Sequence, residues 1–238
     1  MTDSPSSLSF VIPVVNEGAR LPELLSRLRR EFGDAELIVV DGGSRDGSVS
    51  LALMNADLVL LGEAGRARQM NLGAACAKNH WLAFLHADTQ PRFDTNALRA
   101  VLAGDVRWGF CRIALQGRSS GLAMVSAFMN RRSGVTRIAT GDQLLIVERE
   151  LFEVLGGFAA MPLMEDVELC KRLRRHAPGG MLPLVVDSSG RRWDEKGLWR
   201  TIFRMWALRL AFFAGVSPHR LWRHYYGKHA LKGSPGGQ

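Results

Sequence analysis

Cysteine is scarce: Cys76, Cys111 and Cys170 stand far apart and form no CxxC pair. That excludes a disulfide framework and a cysteine zinc site, and it fits reduced thiols in a cytosolic setting. Aromatic residues make up only 8% of the chain, and no RNP motif or recognition helix accompanies them. A nucleic-acid partner is therefore not expected. The first apolar run, Leu8 to Val15, is far too short to span a bilayer. Met1 to Ser7 lacks the basic and apolar regions of a secretory signal, so the expected location is cytoplasmic. No GxGxxG follows the first apolar run, which disfavours dinucleotide binding. Acidic residues are outnumbered 23 to 31 by lysine and arginine, a net charge of +8. An excess of this sign implies an anionic partner: nucleic acid, membrane surface or phosphorylated small molecule.

What is present is enough for an ordinary domain. The 238 residues are 47% hydrophobic, sufficient for a sizeable core. Strand-like runs at Leu8–Pro13, Leu37–Val40, Asp57–Leu61 and Trp81–Leu85 alternate with helical patterns over Leu21–Phe32, Ser48–Asn55 and Gly65–Lys78. Alternation of this kind predicts an α/β fold, a mostly parallel sheet with helices on both faces. The second half is less regular. Strands are expected at Val106–Leu115, Leu144–Val147 and Leu182–Val186, and helices at Leu122–Arg132, Arg149–Leu155 and Glu165–His176.

Ligands of parallel sheets bind beyond the carboxyl ends of the strands, and polar residues collect there: Asn16 and Glu17, Asp41, then His86 and Asp88. In His86-Ala87-Asp88 the first and third side chains of an extended segment share one side, so both can reach one cation. A divalent ion held there can neutralise a leaving diphosphate; two unrelated polar loop residues would look the same. In Asp41-Gly42-Gly43-Ser44-Arg45-Asp46-Gly47-Ser48 the glycines permit close backbone approach, and Asp41 can accept hydrogen bonds from a base or ribose. Helix capping explains Asp46 better than it explains Asp41. Glu165, Asp166 and Glu168 open a helix, where the macrodipole alone would favour them. One of them can also serve as a general base, its pKa raised by the neighbouring acids.

Taken in order, these segments resemble the family 2 glycosyltransferases of the GT-A fold, an inverting class that uses nucleotide sugars. The resemblance runs from about Leu8 to Trp193. Ile12-Pro13-Val14-Val15-Asn16-Glu17 resembles the family's IPVxNE opening, and VVDGGSRDGS its VVDDGSxDGS. Phe84-Leu85-His86-Ala87-Asp88 stands where the family has FLDxD, and Gly156-Gly157-Phe158 with Glu165-Asp166 resembles GGF…ED. The resemblance implies a nucleotide-sugar site over Pro13, Asn16, Glu17, Asp41, Arg66, Asn71, Ala87 and Asp88, with Gln69 in the same stretch. It implies a metal on His86 and Asp88, Asp166 as base, and acceptor or sugar contacts at Gly141, Asp142, Gln143 and Glu165. Arg191 and Arg192, beside Trp193, can clamp a diphosphate or form a solvated basic turn. Two departures stand out: Gly42 replaces the second aspartate of the nucleotide motif, and His86 the first of the metal motif. Imidazole beside a carboxylate suits a transition metal, so Mn2+ is expected over Mg2+, with a UDP- or GDP-sugar as donor. The rival expectation is a catalytically inactive protein of this fold that binds nucleotide or membrane.

The expected division places the catalytic domain in 1–193 and a helical, basic ending in 194–238. Leu198 to Phe213 carries Arg200, Arg204 and Arg209 among apolar residues, too many charges for a bilayer span. It reads equally as an ordinary domain helix or as an interfacial helix at the inner, anionic membrane face, a choice that flotation on anionic vesicles tests.

Overall fold

The computed structural model describes residues 7–227, apart from the side chains of Arg192, Lys196 and Tyr226. The basic run beyond Gly227 and the GSPGGQ ending lie outside the described residues. The strands are β1 (Leu8–Val14), β2 (Glu36–Asp41), β3 (Leu58–Leu61), β4 (Trp81–Phe84), β5 (Thr89–Pro91), β6 (Trp108–Gln116), β7 (Leu145–Glu148) and β8 (Gly179–Ser189). They form one sheet in the order β3-β2-β1-β4-β7-β6-β8-β5. The first half is parallel through β3, β2, β1 and β4. The second half turns mixed: β7 runs antiparallel to both β4 and β6, β8 parallel to β6, and β5 antiparallel to β8.

Helices cover both faces: α1 (Leu21–Glu31), α2 (Ser48–Leu53), α3 (Arg66–Cys76), α4 (Thr95–Leu102), α5 (Leu122–Thr136), α6 (Arg149–Val154) and α7 (Glu165–His176). Strand β1 is buried on both sides because its alternate residues feed two cores. Val11 joins the cluster with Val40, Met70 and Phe84, whereas Phe10 and Ile12 join Leu24, Leu25 and Leu28 of α1. After β8 come α8 (Arg191–Lys196), α9 (Leu198–Phe213) and α10 (Pro218–Tyr226). Helix α8 crosses residues 193 and 194, and Leu208 and Leu221 are buried in the same core as β1 and α7. No helix among the described residues is long and apolar enough to cross a membrane. Arg204 of α9 is engaged within the protein, donating to the His224 carbonyl at 3.1 Å and stacking over Tyr225.

The first-half elements match the sequence reading within a residue or two. Strand β5 and helix α4 were not expected, and β8 is longer at both ends than Leu182–Val186. His86-Ala87-Asp88 is also not a strand continuation: it is the turn between β4 and β5, closed by Thr89 N–H donating to the His86 carbonyl at 3.0 Å. The chain turns there because β5 pairs at the far edge with β8 and not beside β4.

One contact sets how α3 sits. A Cβ on Gly73 would lie 2.4 Å from Val11 Cγ1 and 3.0 Å from Val40 Cγ2, so only glycine lets the helix press onto β1 and β2. That approach brings Gln69, 2% exposed, under the strand ends. Its amide nitrogen donates to the carbonyls of Val14 (2.9 Å) and Val40 (2.8 Å), and its oxygen accepts from Gly65 N–H. Gln69→Leu leaves these buried groups without partners. It is expected to lower stability by about 1–3 kcal/mol, read as a lower urea midpoint with unchanged slope.

Candidate active site

The loops after β1 and β2 are tied together at the carboxyl edge of the sheet. Asn16 N–H donates to Ser44 Oγ and Arg45 N–H to Asn16 Oδ1, both at 2.8 Å. Asn16 adopts φ 55°, a left-handed conformation that asparagine tolerates better than most residues. Asp46 accepts from Gly18 N–H and from Ser48, so it links the loops, while Gly47 holds the N-cap position of α2. Asp41 is 2% exposed. Its Oδ2 accepts from Gly43 and Ser44 N–H at 2.8 and 2.9 Å, while Oδ1 is buried with no hydrogen-bond partner. Buried acceptors are rarely left unpaired, so a donor on a ligand would complete this carboxylate.

The Gly42 departure has a steric cause. A Cβ at Gly42 would lie 2.8 Å from Val15 Cγ2 and 3.0 Å from the Gln69 amide. The glutamine that pins the strand ends occupies the room an aspartate at 42 would need.

Beside this edge, His86, Asp88 and Asp142 offer one ligand atom each, all within 4.8 Å of one another. His86 Nδ1 lies 3.8 Å from Asp142 Oδ1. Imidazole with two carboxylates fits a divalent transition metal better than magnesium. The sequence pointed to Asp142 as an acceptor or sugar contact; the structure brings it beside His86 and Asp88. It rides on a 3-10 turn, Gly141–Gln143, whose anchor is Gln143. Gln143 is fully buried, accepting from Ser133 Oγ and Thr140 N–H. Gly141 is needed where it stands, since a Cβ there would lie 2.8 Å from His86 Cε1. The sequence does hint at this turn, because Thr140 and Gln143 have capping-box spacing.

A cavity of about 320 Å³ connects the cluster to α7; Arg66, Asp88, Asp142, Glu165, Asp166 and Arg191 are among its walls. Helix α7 begins after Met164, held at φ 69°, which aims its first turn into the cavity. Burial, then the adjacent Glu165 carboxylate, push Asp166 up from 3.8 to about 7; the Val167 N–H, Arg66 and the Gly141 N–H oppose this. A carboxylate poised there can take a proton near neutral pH.

Other expected site residues are placed differently. Pro13, Asn16, Glu17 and Asp41 lie along the strand edge and do not line the 320 Å³ cavity. Glu17 pairs with Arg20 at 2.8 Å. Asn71 clamps the glycine turn before α7, donating to the Phe158 carbonyl and accepting its N–H. Ala87 is buried in the turn between the two ligands. The Arg192 side chain lies outside the described residues.

Asp166 makes the stability of the metal-free protein depend on pH. A carboxyl raised by folding contributes stability that is complete below its ordinary pKa and lost as pH climbs through about 7. Asp166→Asn lacks that loss. Its melting temperature in EDTA is expected to gain on that of the unsubstituted protein between about pH 5.5 and about pH 8.5. An unchanging difference across that range would contradict the raised pKa of Asp166.

Residues 9–102 match the family model described as glycosyl transferase family 2. Among curated proteins, PGL/p-HBAD biosynthesis glycosyltransferases of Mycobacterium bovis and Mycobacterium tuberculosis are 39% identical over 90 residues, 34% of this chain and 34% of theirs. The match thus spans about a third of those relatives. Among solved structures, S. aureus TarS in complex with UDP superposes with TM-score 0.63 at 15% identity, covering 77% of this chain and 60% of that one. The mannosyltransferase PcManGT from Pyrobaculum calidifontis, in complex with GDP-Man and Mn2+, gives TM-score 0.63 at 20% identity, over 89% and 63%. The resemblance read from the motifs therefore holds: residues 9–102 carry the family 2 glycosyltransferase signature, and the chain has the GT-A fold.

Proposed function

We propose that this protein is an inverting glycosyltransferase that moves a hexosyl group from a nucleoside diphosphate sugar to an acceptor hydroxyl. The observation that carries this reading is one cavity lined both by two carboxylates of the cation-ligand cluster, Asp88 and Asp142, and by a carboxylate of raised pKa, Asp166. The complexes of the two similar structures, one with UDP and the other with GDP-Man and Mn2+, support the same donor class.

The nucleoside lies over the edge formed by β1 and β2, where Asp41 Oδ1 accepts a hydroxyl or N–H from it. Arg66 and Arg191 face the cavity and offset the diphosphate charge. His86, Asp88 and Asp142 would hold a manganese ion, which supplies Lewis-acid stabilisation to the departing diphosphate. Asp166 accepts the proton of the acceptor hydroxyl as its oxygen bonds to the sugar C1. The C1–phosphate oxygen bond breaks, and its electron pair leaves with the nucleoside diphosphate. A single displacement inverts C1. Residues 1–193 supply these groups; the helices after them close one side of the cavity through Thr201, Met205 and Leu208.

Calorimetry with UDP, GDP and their sugar conjugates tests the donor site. One nucleotide is expected to bind with manganese and to lose about 10–100-fold in affinity with EDTA, in Asp88→Ala, and in Asp142→Ala. Absence of nucleotide binding under every metal condition would contradict the reading and favour an inactive scaffold.

A further inference from the structure

A second cavity, of about 530 Å³, opens beside the first between α5 and α9. Its size falls within the roughly 300–1,000 Å³ of small-molecule sites. Its walls are almost all carbon, with Met124, Phe128, Trp199, Trp206, Leu210 and Phe213 contributing. Phe128 and Trp206 meet across the two helices with ring centroids 5.5 Å apart, yet they remain 49% and 47% exposed. Exposed apolar surface gathered into one groove marks a place where an apolar partner binds. Methionine and aromatic walls adapt readily to a flexible chain.

The groove is continuous with the candidate active site. Met129, Thr140, Trp193, Met205 and Arg209 line both cavities. Near the junction Arg132 has a buried Nε with no hydrogen-bond partner, while its Nη2 donates to Ser133 Oγ at 2.8 Å. That donor suits an oxygen on the head of a molecule whose body fills the groove. The residues beyond Gly227 are a poor match for such a space, because 228–238 carry only Ala230, Leu231 and Pro235 as apolar side chains.

We infer that the groove between α5 and α9 holds the apolar chain of an amphiphilic acceptor, an acyl or isoprenoid chain whose hydroxyl-bearing head reaches Asp166. This rests on the glycosyl-transfer reading and adds the chemical class of the acceptor. The chain takes no part in bond making. It fixes the head at the shared mouth, so the acceptor oxygen is presented to C1 from the side opposite the diphosphate.

Tryptophan fluorescence tests the inference, since Trp193, Trp199 and Trp206 all line the groove. A bromo-terminated dodecanol, which quenches indole on contact, is titrated into the full chain with plain dodecanol as competitor. Saturable quenching is expected, displaced by dodecanol and weakened about tenfold or more in Leu210→Glu, where a charge enters the groove. Leu210 is 62% exposed, so the substitution leaves the core intact; manganese-dependent nucleotide binding is expected to be unchanged. Quenching that never saturates, or that is equal in Leu210→Glu, overturns the inference. So does a dimer that Leu210→Glu dissociates, which would make a second copy the occupant. Nucleotide binding without chain binding refutes the groove inference alone. Chain binding without nucleotide binding refutes the transfer reading and with it the acceptor role of the groove.

Discussion

Like charges crowd around one cavity. Asp88, Asp142, Glu165 and Asp166 share its walls, with Arg66 and Arg191 as neighbouring cations. The Glu165 carboxylate disfavours ionisation of its neighbour Asp166. The raised Asp166 shows part of that cost, with burial the larger cause and Glu165 next. The surrounding architecture holds the groups together regardless. The turn after β4 and the turn before β7 are fixed by backbone hydrogen bonds and by the buried Gln143, and α7 starts from a left-handed Met164. In the proposed reaction a cation would relieve the repulsion on one side, and a proton from an acceptor on the other. The arrangement is costly for the empty protein and suited to a charged ligand, as strained functional sites commonly are.

The parallel half of the fold was legible because its signals are local. Apolar runs of four to seven residues, followed by glycine or polar clusters, mark β1, β2, β3 and β4, and Leu21, Leu24, Leu25 and Leu28 mark α1. Strand β5 was not legible: three residues with a proline at the sheet edge carry no periodicity. Helix α4 carries a local signal, Asp94 as N-cap before Leu98, Val101 and Leu102, and Asp94 accepts from Ala97 N–H. At the site, the residue types were legible and their grouping was not. Asp142 reaches His86 only because the sheet order brings the segment before β7 beside β4, a contact spanning 56 positions of sequence that periodicity cannot reveal.

The departures from the family pattern also resolve into physical reasons. Gly42 is tied to Gln69, whose amide holds the ends of β1 and β2 and fills the space in front of the glycine. His86 is accompanied by Asp142, so the cluster keeps two carboxylates although the first aspartate of the metal motif is gone. Substitution at one position is balanced by a side chain from another element, and the local geometry survives.

Under the proposed function His86, Asp88 and Asp142 hold a divalent ion against the diphosphate of the donor. Anomalous diffraction from crystals grown with manganese and the nucleoside diphosphate that binds tests it most directly. An anomalous peak bonded to these side chains and to a phosphate oxygen, with the nucleoside over Asp41, is the expected result. Nucleotide bound elsewhere, or bound at Asp41 with no metal at the cluster, would contradict it.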